Sequence, residues 1–486
     1  MTRFTRLLLL SSAFFSGLAH AQTPALEPFA VDSVAAPRGG VSMLETFLAV
    51  NLRKPIMAQV ANVAGRVFLK AVVEPDGQLT DVTVLRSLRP DCDREALRVM
   101  RGFRAWKPAL KDGKPVRQNI SYSVIFRATS PVVLQEGKQL LYLDEQFAPL
   151  NNPLTARYVQ ATPIDTLTDL PNGDLVFYEA SNGKKGKEIS RYPLLRLPTN
   201  PQQPTGETGY LLGYKRPTSD WIGQIYTLRT DGSLLSIAPA DGKTGQIITY
   251  AKNGLVERIQ DYETGKITRW FPNGVLLNTD ERLPKGANTN RLGPVYKRTS
   301  AWDSTGNPTV VGGNGYQISH SQLKSRPDSS RTVLFTEEGA YVDGRQHGLW
   351  KGYTADGSYG YEEQYKNGDC RGGKAVVAGK TIPYTEARQS PAFKGGVGQL
   401  YQFLGNNIQY PAEAQRGNIV GKVFVSFTVC ADGSLCDYDV VKGVHPSLDE
   451  EALRVVRKMS GQWVPGTLRG EPIRVKYNLP VSFQLN

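Results

Sequence analysis

The chain has 486 residues, 40% of them hydrophobic, with 58 Lys and Arg against 45 Asp and Glu and a net charge of +13. That length predicts about three domains, and aromatic and branched residues spread along the whole chain exclude global disorder. The basic residues are interleaved with acidic ones, which predicts a solvated basic surface and argues against a nucleic-acid partner.

Residues 1–21 have the layout of a secretory signal peptide. Arg3 and Arg6 precede an apolar run from Leu7 to Leu18, and Ala19-His20-Ala21 is an A-x-A cleavage site. The run is short against the roughly 20 apolar residues that a membrane helix needs. The expectation is export to the periplasm or cell envelope. An uncleaved inner-membrane anchor is the alternative, and only in that case is a membrane a partner.

From about residue 38 onward the chain matches its own far end. Gly39-Gly40, Leu44, Phe47, Leu48, Asn51 and Pro55 recur as Gly395-Gly396, Leu400, Phe403, Leu404, Asn407 and Pro411. Gly65-Arg66-Val67-Phe68, Asp76-Gly77 and Glu95-Ala96-Leu97-Arg98-Val99 recur as Gly421-Lys422-Val423-Phe424, Asp432-Gly433 and Glu451-Ala452-Leu453-Arg454-Val455. All keep an offset of 356. After one insertion, Trp106, Pro108, Gly113, Pro115 and Phe126 recur 357 residues on as Trp463, Pro465, Gly470, Pro472 and Phe483. Two copies of one domain are expected, at residues 32–127 and 391–486.

Between them, residues 128–388 repeatedly place an aromatic ahead of a turn glycine, as in Tyr250-Ala251-Lys252-Asn253-Gly254, Trp270-Phe271-Pro272-Asn273-Gly274, Tyr353-Thr354-Ala355-Asp356-Gly357 and Tyr365-Lys366-Asn367-Gly368. Asn-Gly and Asp-Gly signal tight hairpins, so successive β-hairpins packed on their aromatic faces are expected. The stretch Gly344–Tyr353 resembles a MORN-type repeat. Pro198–Pro204 reads as a loop, His347 as a structural turn residue, and the aromatics as core rather than as a glycan- or peptide-binding strip.

In the second copy, Leu400, Phe403, Leu404 and Asn407 predict a helix that stops before Pro411. The alternation of Val423, Val425, Phe427 and Val429 predicts a strand. Asp432-Gly433 predicts a hairpin turn into a second strand ending near Val441. Ser447 and Glu450 fit a capping box opening a helix with Leu448, Ala452, Val455, Val456 and Met459 on one stripe. A last strand is expected from Arg474 to Leu485. The fold class is α+β: each copy an antiparallel sheet with two helices, the two flanking a β-repeat region. Cys430 and Cys436 flank the turn, and two readings stand: a disulfide across the hairpin, or two unpaired small side chains.

The run Tyr410-Pro411-Ala412-Glu413-Ala414, Gly421-Lys422-Val423, Asp432-Gly433, Leu448-Asp449-Glu450-Glu451-Ala452-Leu453, Trp463-Val464-Pro465-Gly466, Pro472 and Val481-Ser482-Phe483 resembles the TonB C-terminal domain over residues 391–486. The first copy resembles a degenerate member, with Lys54-Pro55-Ile56-Met57-Ala58 where the family has Tyr-Pro and alanines. The resemblance implies an energy-transduction role, in which the domain binds a short segment of a TonB-dependent outer-membrane receptor by β-strand addition. It places receptor contacts at Gln409, Tyr410, Pro411, Arg474, Val475, Lys476, Tyr477 and Asn478. A homodimer through sheet edges is a second kind of partner. The alternative is a periplasmic binding or scaffold protein that uses the same module without transducing energy, since no anchored helix and no long Pro-rich spacer is apparent.

No enzyme motif emerges. His320, His347 and His445 are far apart, and no His-x-x-x-His, Cys-x-x-Cys, G-x-S-x-G or P-loop pattern appears. Asp449-Glu450-Glu451 reads as charge favoured at a helix start. No cofactor and no metal site is expected.

Overall fold

The computed structural model describes residues 23–129, 132–199, 209–218, 220–284 and 295–485. The expected signal peptide, residues 1–21, lies outside the described residues, as does most of the Pro198–Pro204 segment. Pro198 itself closes a strand opposite Tyr210. The chain divides into two compact units: Met1–Glu263 with Arg269–Leu276 and Ser304–Gly306, and Thr264–Thr268 with Leu277–Asp303 and Asn307–Asn486.

In the first unit, helix α1 (Val41–Asn51) follows Gly39 and Gly40, both at positive φ, a region open to glycine at little cost. Strands β1 (Gly65–Val73) and β2 (Leu79–Arg86), helix α2 (Pro90–Gly102) and strand β3 (Gln118–Phe126) complete the domain, in the order β2-β1-β3 with all pairs antiparallel. Leu44, Phe47, Val67, Leu69, Val99 and Phe103 are fully buried between helices and sheet. Each such side chain contributes roughly 1.5–3 kcal/mol by leaving water.

The middle of the chain is less uniform than its turn signals predict. Residues 133–192 form a six-stranded sheet of their own, with Leu140, Val159 and Ala161 at its core. Sequential antiparallel hairpins then run in the first unit through Leu195–Pro198, Gly209–Lys215, Trp221–Arg229, Leu234–Pro239, Gln246–Tyr250 and Val256–Asp261. In the second unit they run from Tyr296–Trp302 to Lys380–Tyr384. The turn glycines Gly254, Gly274, Gly357 and Gly368 all have positive φ. Tyr250, Trp270 and Trp350 are buried, but Tyr353 is 46% exposed. His347 lies within the strand Arg345–Thr354, opposite Ala340, not in a turn.

The second unit ends in the second copy: α3 (Gly396–Asn407), β4 (Gly421–Val429), β5 (Leu435–Lys442), α4 (Pro446–Arg457) and β6 (Val475–Phe483), with the sheet order β5-β4-β6. Val423, Val425, Phe427 and Val429 are completely buried against Leu448, Ala452, Val455, Val456 and Met459. The cap of α4 differs from expectation. Pro446 takes the first helical position, where its missing N–H costs nothing. The cap therefore falls on His445, whose side chain accepts from the Ser447 amide, while Glu450 is exposed.

Candidate strand-binding edge

Strand β6 pairs with β4 along its whole length, from Gly421 opposite Phe483 to Val429 opposite Val475, without a bulge. It is the end strand of its sheet. Leu479, Val481 and Phe483 are buried and Val475 and Tyr477 half-buried, whereas Lys476, Asn478, Pro480 and Ser482 are exposed. Tyr477 packs 4.9 Å from Trp463 and 5.6 Å from Phe427, so its ring belongs to the core.

Which backbone groups face outward follows from the first copy. In an antiparallel edge strand, residues alternate between pointing both N–H and C=O at the neighbour and pointing both away. The Asn119 amide donates to the Leu26 carbonyl and the Leu26 amide to the Arg117 carbonyl, each at 2.9 Å, so the odd-numbered residues of β3 face away from β1. The β1–β3 register is equally free of bulges. Asn119 opposite Val72 corresponds to Lys476 opposite Thr428. Hence Arg474, Lys476, Asn478, Pro480 and Ser482 turn their backbone groups to the open side. Proline lacks an N–H and is tolerated where no ladder bond is lost, which accounts for Pro480 in this strand. It also ends the run of outward donors, leaving Arg474–Asn478 as the segment able to pair with an incoming strand.

Arg474 is exposed and donates from Nη2 to Asp437 Oδ2 at 2.7 Å, with Cys436 Sγ 3.4 Å away. Cys430 and Cys436 form a disulfide that staples the β4–β5 hairpin beside this arginine. Cys92 and Cys370 are free thiols. Gln409 and Tyr410 lie elsewhere. The Gln409 amide donates to Glu451 Oε1 at 2.6 Å, the Tyr410 hydroxyl donates to the Ile419 carbonyl at 2.6 Å, and the Tyr410 ring meets Phe483 edge-on at 5.9 Å. Pro411 caps the short helix Ala412–Arg416. These three residues gather at the far end of β6, beyond Pro480, and are not brought together with Arg474–Asn478.

The domain is fastened within its unit by the hairpin Gly466–Leu468 and Glu471–Ile473. At its tip, Arg469 donates to Glu363, a carboxylate only 1% exposed, at 2.9 Å, and its guanidinium lies 3.3 Å from the centre of the Tyr361 ring. Glu363 also accepts from the hydroxyls of Tyr365 and Tyr384, each at 3.0 Å. Burial first, and the Glu363 carboxylate second, push both phenols well above their ordinary range, which keeps them protonated as donors. Arg326 adds a two-pronged pair with Glu471 at 2.6 and 2.7 Å. Sequence reading missed this anchor because nothing in the order of residues links Glu363 to Arg469.

Among the described residues no cluster of three His, Cys, Asp or Glu side chains is placed to hold a metal ion, and no helix is long and apolar enough to cross a membrane.

Residues 51–128 and 406–485 each match the family profile of the Gram-negative bacterial TonB protein C-terminal region. No curated protein sequence matches the chain. Among solved structures, it is similar to the NMR solution structure of Helicobacter pylori TonB-CTD (residues 179–285), with 28% identity over 18% of this chain and 80% of that one at a TM-score of 0.16. It is also similar to the solution structure of residues 194–285 of that protein, with 29% identity over 18% and 91% of the chains and the same TM-score, 0.16. Each end of the chain thus carries a region of the TonB C-terminal type.

Proposed function

We propose that this is a TonB-like envelope protein whose second copy binds TonB-dependent outer-membrane receptors by adding a receptor segment to β6, in support of energy-coupled transport. The observation that carries this reading is the outward edge of Arg474–Asn478, a strand paired on one side with its donors and acceptors open on the other. Backbone bonds at Arg474, Lys476 and Asn478 supply affinity, and the exposed Lys476 and Asn478 side chains beside them supply selectivity. Gln409, Tyr410 and Pro411 shape the opposite end of the domain and contribute to the fold rather than to the ligand. In this reading residues 1–21 are a cleaved signal peptide, 32–127 a degenerate copy, 128–388 a hairpin region of MORN-like character and 391–486 the binding domain.

A second reading, a scaffold that does not transduce energy, is favoured by the buried Arg469–Glu363 anchor, which fixes the domain to neighbouring hairpins rather than leaving it on a tether. Both readings share the same edge and differ in whether force passes through it.

The test is a titration of the full chain with synthetic peptides that carry the N-terminal boxes of outer-membrane receptors, followed by fluorescence anisotropy. Asn478→Pro removes one outward donor and no bond to β4, so binding should fall at least tenfold while the fold persists. Unchanged binding by this variant would place the ligand elsewhere.

A further inference from the structure

The equivalent edge in the first copy is not open. The chain's own segment Thr23–Glu27 lies on it, with Leu26 bridged in parallel to Gln118. The Leu26 amide donates to the Arg117 carbonyl and the Asn119 amide to the Leu26 carbonyl, both at 2.9 Å. Side chains reinforce the contact. Arg117 Nη1 donates to the Thr23 carbonyl at 2.7 Å, and Asn119 Nδ2 donates to Glu27 Oε1 at 2.9 Å and to the Ala25 carbonyl at 3.4 Å. In the second copy the positions 356 residues on, Lys380–Tyr384 in the main, pair with the strand Asp369–Val377 instead, and the β6 edge receives nothing from them.

The grip is short for a chemical reason. In a parallel ladder the next bond after Leu26 would come from the amide of residue 28 to the Asn119 carbonyl. That residue is Pro28, which has no N–H. Pro24 sits two positions before Leu26, where the pairing would extend the other way. Two prolines therefore confine the pairing to one residue, and Phe29 just beyond is 89% exposed.

We infer that the β3 edge of the first copy is a second strand-binding site, occupied in cis by Thr23–Glu27, and that its external ligand is an extended acidic peptide segment free of proline at the two flanking positions. Such a segment would make the bonds that Pro24 and Pro28 forgo and would keep a carboxylate opposite Asn119. The site is separate from the β6 edge of the preceding section and does not depend on it.

The probe is a fluorescent eight-residue peptide with the sequence of residues 23–30 and alanine in place of both prolines, titrated against the full chain. Deleting residues 23–27 should add one binding site per chain. Asn119→Pro in the deleted background should remove that added site, whereas Lys476→Pro should leave it. No added site on a deleted chain whose β1 amides remain protected would make the segment a plain structural strap and overturn the inference. Hydrogen exchange of the unaltered protein gives an arm that needs no variant. The Leu26 and Asn119 amides should exchange at least tenfold faster than those of Val67–Val73. Exchange only together with β1 would mark the segment as a permanent strand and equally overturn it.

Discussion

Asn51 and Asn407 end equivalent helices, and each donates from Nδ2 to the carbonyl four residues back, Phe47 at 3.0 Å and Phe403 at 2.8 Å. Their Oδ1 atoms meet different donors. Asn51 is 2% exposed and accepts at 2.7 Å from the Val256 amide of a neighbouring hairpin, while Asn407 accepts at 2.7 Å from Lys458 of its own domain. Lys458 corresponds to Gly102, where a Cβ would collide with Leu255. The first copy thus gives up a side chain at residue 102 to seat a hairpin tip on its helix end. That seat is completed by Arg104 donating to the Asn273 carbonyl, and by Gly274, whose missing Cβ makes room for Phe47 and Phe103. The second copy closes the same face with a lysine and anchors instead through the tip of its last hairpin. One domain plan is used with different faces fastened.

The anchor of the second copy is where this contrast breaks with the largest effect. Arg469→Ala would leave Glu363 buried beside two phenols without its cation. Removing one partner of a buried pair costs about 3–5 kcal/mol. The equivalent residue of the first copy is Asp112, exposed at a turn with φ 50°, and Asp112→Ala should cost no more than about 1 kcal/mol, the preference of the left-handed region for Asp over Ala. Urea unfolding of both variants measures the difference. Similar costs would mean that the two hairpin tips do equivalent jobs.

A smaller contrast lies in how the two copies staple the same hairpin. Cys430 and Cys436 correspond to Glu74 and Thr80, and where the second copy has a disulfide the first has Thr80 Oγ1 donating to Glu74 Oε1 at 2.5 Å. Arg117 clamps that carboxylate from two nitrogens at 2.8 and 2.9 Å and, by this hydrogen bonding, holds its pKa below the ordinary range. A depressed carboxylate stabilises the fold above its unfolded pKa, and that contribution is lost as pH falls through the lower folded value. Acidification below about pH 4 should therefore loosen the Glu74 clamp of the first hairpin by roughly 1–2 kcal/mol, whereas in the second the disulfide does not titrate and acid acts only at the turn, where Ser434 holds the Asp432 carboxyl below its ordinary range. Reductant at neutral pH should do the reverse, costing about 2 kcal/mol for so short a loop. Hydrogen exchange resolved to β2 and β5 separates the two. Parallel responses in both hairpins would show that the staples are not local.

The sequence carried the internal repeat well because repetition needs no structure to be seen. The shared offset located both helices, the Asp-Gly turns and the edge strand. Gly77 and Gly433 hold the same positive φ, and a Cβ at either would meet the carbonyl oxygen of Trp106 or Trp463. What stayed hidden depends on contacts between segments distant in sequence. Gln409–Pro411 and Arg474–Asn478 read as one site but lie at opposite ends of β6. The α4 cap falls on His445 and not on Ser447 because Pro446 takes the first helical position. The separate sheet of residues 133–192 carries the same signal as the later hairpins, at Asn172-Gly173 and Asn182-Gly183, so turn residues alone could not set it apart from them. Thr23–Glu27 carries no strand pattern, since its single bridge at Leu26 depends on the edge it lies on.

The finest test of the comparison concerns backbone parity on the two edge strands. If odd-numbered residues of β3 face outward, Ser123, the counterpart of Pro480, donates to no strand. Ser123→Pro should then cost little, within about 0.5 kcal/mol, and would give the first edge the same limit as the second. Val124 is 1% exposed and its amide points at β1. Val124→Pro loses a ladder bond and should cost about 3 kcal/mol or more. Both variants can be compared by denaturant unfolding in the full chain. A large cost at Ser123 would reverse the assignment of outward groups on β3 and, by the shared register, on β6, moving the available donors from Lys476 and Asn478 to Val475 and Tyr477.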